Sequence, residues 1–250
     1  MRELIQVELY KMRKKHCFFI IFLFNSISML YGIGMLYNFS WVSFSGTFDL
    51  IQYVGAIWQL LFLIGLPLIF FLYMGASVLG GEKAEGQILL EITRVADRKK
   101  LVLSKILATL CLILFYFVTN ILISSVSYIL FVRQTIYTTA KWIIIDKDNM
   151  ELLVLCLFGC IYMIISVVIT MYLSIKYSAV IATIIGIAFY VVMSLMARIP
   201  SVRVCVPGYF ALVEDAKMGI GSILWQGIWC SVIVLFFMYL TRKKMEEIDL

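Results

Sequence analysis

Six stretches of this chain contain no Asp, Glu, Lys or Arg, and each is long enough as a helix to cross a bilayer: residues 17–37, 56–79, 106–131, 152–173, 177–197 and 220–240. Together they take up 135 of the 250 residues. A hydrocarbon core about 30 Å thick needs roughly 20 helical residues. One charge at mid-span would cost about 2.5–3.5 kcal/mol. Transmembrane barrel strands are alternating runs of about 10 residues, which these are not. The sequence therefore predicts an all-α integral membrane protein with six transmembrane helices in a single domain over residues 1–250. Composition agrees: 63% of residues are hydrophobic and 14% charged. That excess could not be hidden in a soluble core, and it excludes disorder.

The charges lie between the spans, and their distribution predicts topology. Residues 1–16 hold five Lys and Arg, 38–55 none, and 80–105 six. Alternating the sides places 15 basic residues on one face and 6 on the other. The basic face is the expected cytoplasmic one, with both termini inside a cell membrane, most simply a bacterial plasma membrane. The net charge of +6 then reflects topology and anionic lipid headgroups. Nucleic acid is not an expected partner, since no aromatic-basic surface module is visible. No cleavable signal peptide is expected, because the apolar run behind the basic N-terminus is too long. No internal repeat stands out.

Four segments outside the spans have character. Leu4, Ile5, Leu9 and Met12 recur at helical spacing, predicting an amphipathic N-terminal helix on the inner leaflet. The loop 80–104 opens with Gly80-Gly81, read as a helix stop. A helix over 82–93 follows, carrying Ile88, Leu89, Leu90 and Ile92. Asp97 is the expected N-cap of the next helix. A loop needed only for chain reversal could be far shorter, so these residues suggest a docking surface. Residues 198–219, with Pro200, Pro207 and Gly208, read as broken helices. The tail 241–250 reads as a basic anchor.

Several chemistries are missing. No G-x-x-x-x-G-K-[ST] phosphate loop is present, so ATP hydrolysis is not expected on this chain. His16 is the only histidine, which argues against zinc sites and His-dependent catalysis. Cys156 and Cys160 share a helix face but lack further ligands, and helix packing is the simpler role. No metal site, catalytic residue or disulfide framework is expected. The spans carry no carboxylate for ion coupling. Their polar residues include Asn25, Gln59, Asn120 and Ser124, which either bond between helices or line a substrate path.

The run Glu82-Lys83-Ala84-Glu85-Gly86-Gln87-Ile88-Leu89-Leu90, followed by Arg98-Lys99-Lys100 and Lys105, resembles the permease subunits of ABC-2-type exporters. In that family an acidic residue and a Gly follow the second span, then an apolar helix, a basic cluster and a Lys opening the third span. Val95 stands where many members have Pro. The modest size and short loops are similar to lantibiotic- or bacitracin-immunity permeases. The resemblance implies a separate cytosolic ATPase dimer that carries ATP and Mg, with no cofactor on this chain. It also implies a second permease chain, the same or homologous. Residues 82–93 would be the coupling helix, with Ile88, Leu89 and Leu90 filling a groove on the ATPase and Glu82, Glu85 and Glu91 meeting basic residues there. The implied activity is export of an amphipathic peptide or similar hydrophobic compound. A passive channel or ion-coupled carrier working without an ATPase, and an accessory scaffold, remain the alternatives.

Overall fold

The computed structural model describes residues 1–42, 46–94, 97–139, 141–213 and 218–246, except the side chains of Leu89, Ile92, Thr93, Arg94 and Glu246. Among the described residues the chain is helical, with one isolated bridge between Phe48 and Thr138 in place of any strand. Five helices are long and apolar enough to cross a bilayer, or six if one bent pair counts as a single span. The chain is thus a multi-pass membrane protein.

The N-terminal helix α1 (Arg2–Lys14) is separated from α2 (Cys17–Leu36) by His16, which takes a left-handed conformation at φ 58°. Ile5 and Leu9 of α1 pack against the core and Met12 is buried in it. The apolar stripe expected to rest on lipid is turned largely onto the protein. Glu8 lies on the same stripe, three residues from Ile5 and four from Met12.

The second span differs most from expectation. The sequence predicts one helix over 56–79. The structure has α3 (Leu50–Ile64) and α4 (Leu66–Ala76), bent by 60°. Gly65 sits between them at φ 74°, a region open to glycine. Pro67 follows in the first turn of α4, where its missing N–H costs nothing. Gly80-Gly81 does not stop the helix either. A π-helical stretch (Ser77–Gly81) continues into α5 (Glu82–Ala84).

The predicted helix over 82–93 is likewise divided. Gly86, at φ 71°, turns the chain between α5 and α6 (Gln87–Arg94). Asp97 caps α7 (Arg98–Leu130) as expected, accepting a hydrogen bond from the Lys100 backbone N–H at 3.1 Å. That backbone bond most of all, and then the Lys100 ammonium at 3.2 Å, hold the Asp97 carboxyl below its usual range. Val95 lies outside the described residues. The 33 residues of α7 are about 50 Å long, so it must project well beyond a 30 Å core.

The remaining helices are α8 (Lys147–Ser174), α9 (Ala179–Ala197), α10 (Tyr209–Leu212) and α11 (Ile220–Glu246). Residues 198–213 are broken as expected, with a 3-10 turn at Arg203–Cys205 before α10. In its most apolar window α8 is 61% buried, against 11% for α11, so α8 is the central post and α11 lies at the periphery. Exposed Leu, Ile, Phe and Trp are abundant along α9 and α11, as lipid-facing surfaces require. All six cysteines are free.

Candidate functional site

The end of the bundle that carries α1 also carries a buried cluster of charges. Lys105, about two turns into α7, is 1% exposed. Its ammonium pairs with Glu8 of α1 at 3.1 Å, with Glu91 of α6 at 2.8 Å, and with Glu82 of α5. Lys11 of α1 reaches the same carboxylates. It donates to Glu8 at 2.9 Å, pairs with Glu91, and lies 3.6 Å from Glu82. Lys15 stands at the rim, 3.8 Å from the other oxygen of Glu82. Three carboxylates thus face one buried lysine, one partly buried lysine and one at the edge.

Burying one of these charges alone would carry a penalty of several kcal/mol, and only complete pairing offsets it. The local folding supplies the pairing. Helical spacing puts Glu8 and Lys11 one turn apart on α1. The continuation of the helix past Gly81 points Glu82 inward, and the turn at Gly86 folds α6 back so that Glu91 arrives beside Lys105. Burial alone would push the Glu91 carboxyl up, but hydrogen bonds from Lys105 and Lys11 outweigh it and hold Glu91 below the usual range. Burial would lower the Lys11 ammonium. Its hydrogen bonds to Glu91 and Glu8 instead hold it well above the ordinary value.

The three carboxylates offer oxygens within 4.8 Å of one another, a spacing compatible with a cation. The Lys105 ammonium already sits among them, so the cluster is neutralised from within.

The expected docking residues divide across this cluster. Glu82 and Ile88 are turned inward, Glu82 into the ion pairs and Ile88 into the apolar core. Glu91 is committed to Lys105 and Lys11. Glu82 and Ile88 are therefore buried within this chain, and Glu91, partly exposed, is held in its ion pairs. Glu85 and Leu90 are exposed, with Glu85 accepting from Gln87 at 2.7 Å. Gly86 is the turn, and the side chain of Leu89 lies outside the described residues. Lys83 donates to the carbonyl of Ile175 at 3.0 Å, tying α5 to the α8–α9 turn.

Of the expected path residues, the structure brings Asn25, Asn120 and Ser124 together between α2 and α7 and places Gln59 apart from them on α3. Asn120 donates to Asn25 at 3.0 Å, and Asn25 donates to Thr119 at 2.8 Å, closing α2 on α7. Ser124 is buried with no hydrogen-bond partner among the described residues. Beside them Tyr53 of α3 donates to the Ser28 carbonyl at 2.7 Å and meets Ser127 at 3.1 Å. Asn25 and Asn120 thus bond between helices. Gln59 lines a cavity of about 370 Å³ between α3, α8, α9 and α10.

Sequence reasoning missed the Lys105 cluster and one other polar site. Asp49, fully buried, accepts from the Gln52 and Ile144 backbone N–H groups at 2.8 and 2.9 Å and from Asn149 at 2.7 Å. It knits the 131–147 segment to α3 and α8. The Asp49-x-x-Gln52 capping spacing before an apolar run was its legible signal. For the cluster, the signal was Glu8 standing within the apolar stripe of α1.

Residues 16–249 match the sequence profile of a family described as "Protein of unknown function (DUF2705)". No curated protein matches the chain.

Proposed function

The chain belongs to the DUF2705 family, and from that starting point we propose that it is the membrane-spanning permease subunit of an ATP-binding-cassette exporter. It works with a separate cytosolic ATPase dimer and a second permease chain, and it moves an amphipathic peptide or similar hydrophobic compound. In this reading the bent α3–α4 pair counts as one of six spans, both termini are cytoplasmic, and the chain resides in the cell membrane.

The observation that carries the reading is the attachment of the α5–α6 hairpin. One side is stapled by Glu82 and Glu91 to Lys105 at the base of α7. The other side presents Glu85 and Leu90 outward. A chain with no nucleotide site can take up work only through a contact that differs between two states of its partner. A small hairpin fixed to a helix about 50 Å long passes displacement at the surface directly to the membrane interior. A loosely tethered loop would absorb it.

The test is capture of the ATPase. Co-expressed with a candidate ATPase subunit that carries a G-x-x-x-x-G-K-[ST] phosphate loop, the chain should retain that protein through purification. Leu90→Asp, placing a charge on the exposed face, should lower retention by about tenfold or more, as loss of an apolar anchor does. Membrane insertion should be unchanged. Substrate movement in liposomes by the purified chain alone would instead assign it to the channels or ion-coupled carriers.

A further inference from the structure

The cavity of about 370 Å³ lies at the end of the bundle opposite the ion-pair cluster. Its volume falls in the range of small-ligand pockets. The polar groups around it are biased toward donation. Gln59 enters from α3, nine residues from the start of that helix, and makes no hydrogen bond among the described residues. Trp58, 2% exposed, also lines it, and its indole N–H has no acceptor among the described residues. That nitrogen lies against Gly159 in the cavity wall, where an added Cβ would stand 2.8 Å from it. Ser194 and Arg198 come from the last turn and C-cap of α9. Among the described residues no carboxylate lines the cavity, and Arg198 has no ion pair. The rest of the lining is mostly apolar, from α3, α8 and α10.

A buried donor without an acceptor is a standing cost of about 1–3 kcal/mol. Here one buried donor that lacks an acceptor among the described residues, the Trp58 indole, converges with the partly exposed Gln59 amide and the Arg198 guanidinium on one space bounded by apolar walls. The ligand that satisfies all three accepts hydrogen bonds, carries negative charge, and has an apolar part. We propose that this cavity binds an amphiphile by its oxyanion headgroup, a phosphate or carboxylate carried on an alkyl chain. Arg198 takes the charge, and the Gln59 amide and Trp58 indole donate to the head. The inference uses the exporter reading only to say that the cavity faces the outer side; binding needs no ATPase.

The experiment uses the full chain in phosphatidylcholine nanodiscs, titrated with dodecyl phosphate and followed by tryptophan emission. A saturable change is expected, with none from dodecyltrimethylammonium. Arg198→Gln should weaken binding by about tenfold or more, as loss of a charge-assisted contact does, and Arg198→Lys by less. Because Arg198 is exposed, folding should survive, checked by an unchanged thermal midpoint. Gly159→Val, which fills the wall at Trp58, should abolish the change. Equal binding of the cationic analogue, or undiminished affinity in Arg198→Gln, would overturn the proposal. Inorganic phosphate binding as tightly as dodecyl phosphate would also overturn it, assigning the cavity to a free oxyanion. Loss of ATPase capture in the preceding test leaves these results untouched, so the two readings fail separately.

Discussion

At Lys105 an ammonium that is 1% exposed serves three carboxylates contributed by three different helices. Replacing it with Met keeps most of the volume and the apolar stem while leaving Glu8, Glu82 and Glu91 facing one another with only Lys11 and the rim residue Lys15 to offset them. Breaking a buried ion pair from one side costs about 3–5 kcal/mol. Lys105→Met should therefore lower the thermal midpoint in detergent markedly. Glu82→Gln added to it should restore part of the loss, because the two changes share one network. Additive losses would mean that the lysine and the glutamate stabilise the chain independently. Asn25 and Asn120 invite a contrasting expectation. Their mutual hydrogen bond joins two helices in an apolar setting, where such bonds contribute only about 0.6–2 kcal/mol.

At the scale of elements, the informative features are the interruptions. Gly65 and Gly86 each hold a positive φ, and neither has an atom within 4 Å of where a Cβ would stand. The cost of substitution is thus conformational alone. Gly86→Ala should destabilise the α5–α6 hairpin by about 1–2 kcal/mol, while Gly86→Asn, which tolerates the left-handed region, should cost less. Hydrogen exchange at the α6 amides reads the difference. The interruptions also mark how far a sequence can be read. Charge-free runs announced the spans because lipid penalises each charge locally, whatever the tertiary structure. Asp97 announced its cap because the bond closes within three residues. The π-helical continuation through Gly80-Gly81 was not legible. Glycine pairs usually end helices, and only the partner waiting at residue 105 gives Glu82 a reason to turn inward. The partners of Glu8 in the cluster were not legible for the same reason. The cluster's members are separated by as many as 97 residues, and a lysine at a span boundary looks like an ordinary interfacial anchor.

For the whole molecule, the testable quantity is which end faces out. Cys205 is exposed and lies between α9 and α10, at the end opposite the ion-pair cluster, whereas Cys17, Cys156, Cys160 and Cys230 are buried. Cys111 is exposed near the middle of α7, where lipid would shield it from a polar reagent. In intact cells a membrane-impermeant maleimide should modify the wild type, and Cys205→Ser should abolish the signal. Labelling of Cys205 only after lysis would reverse the orientation. Because the closing partners are far apart in sequence, the cluster also bears on how the chain is made. Glu8 leaves the ribosome 97 residues before Lys105, an interval of about 5–20 s at ordinary rates of synthesis. Throughout that time the acidic groups of the first helix have no permanent basic partner from the third long helix. The amino-terminal segment must wait in water or at the headgroups while the first two hydrophobic hairpin arms are inserted, and it docks only once the third has arrived.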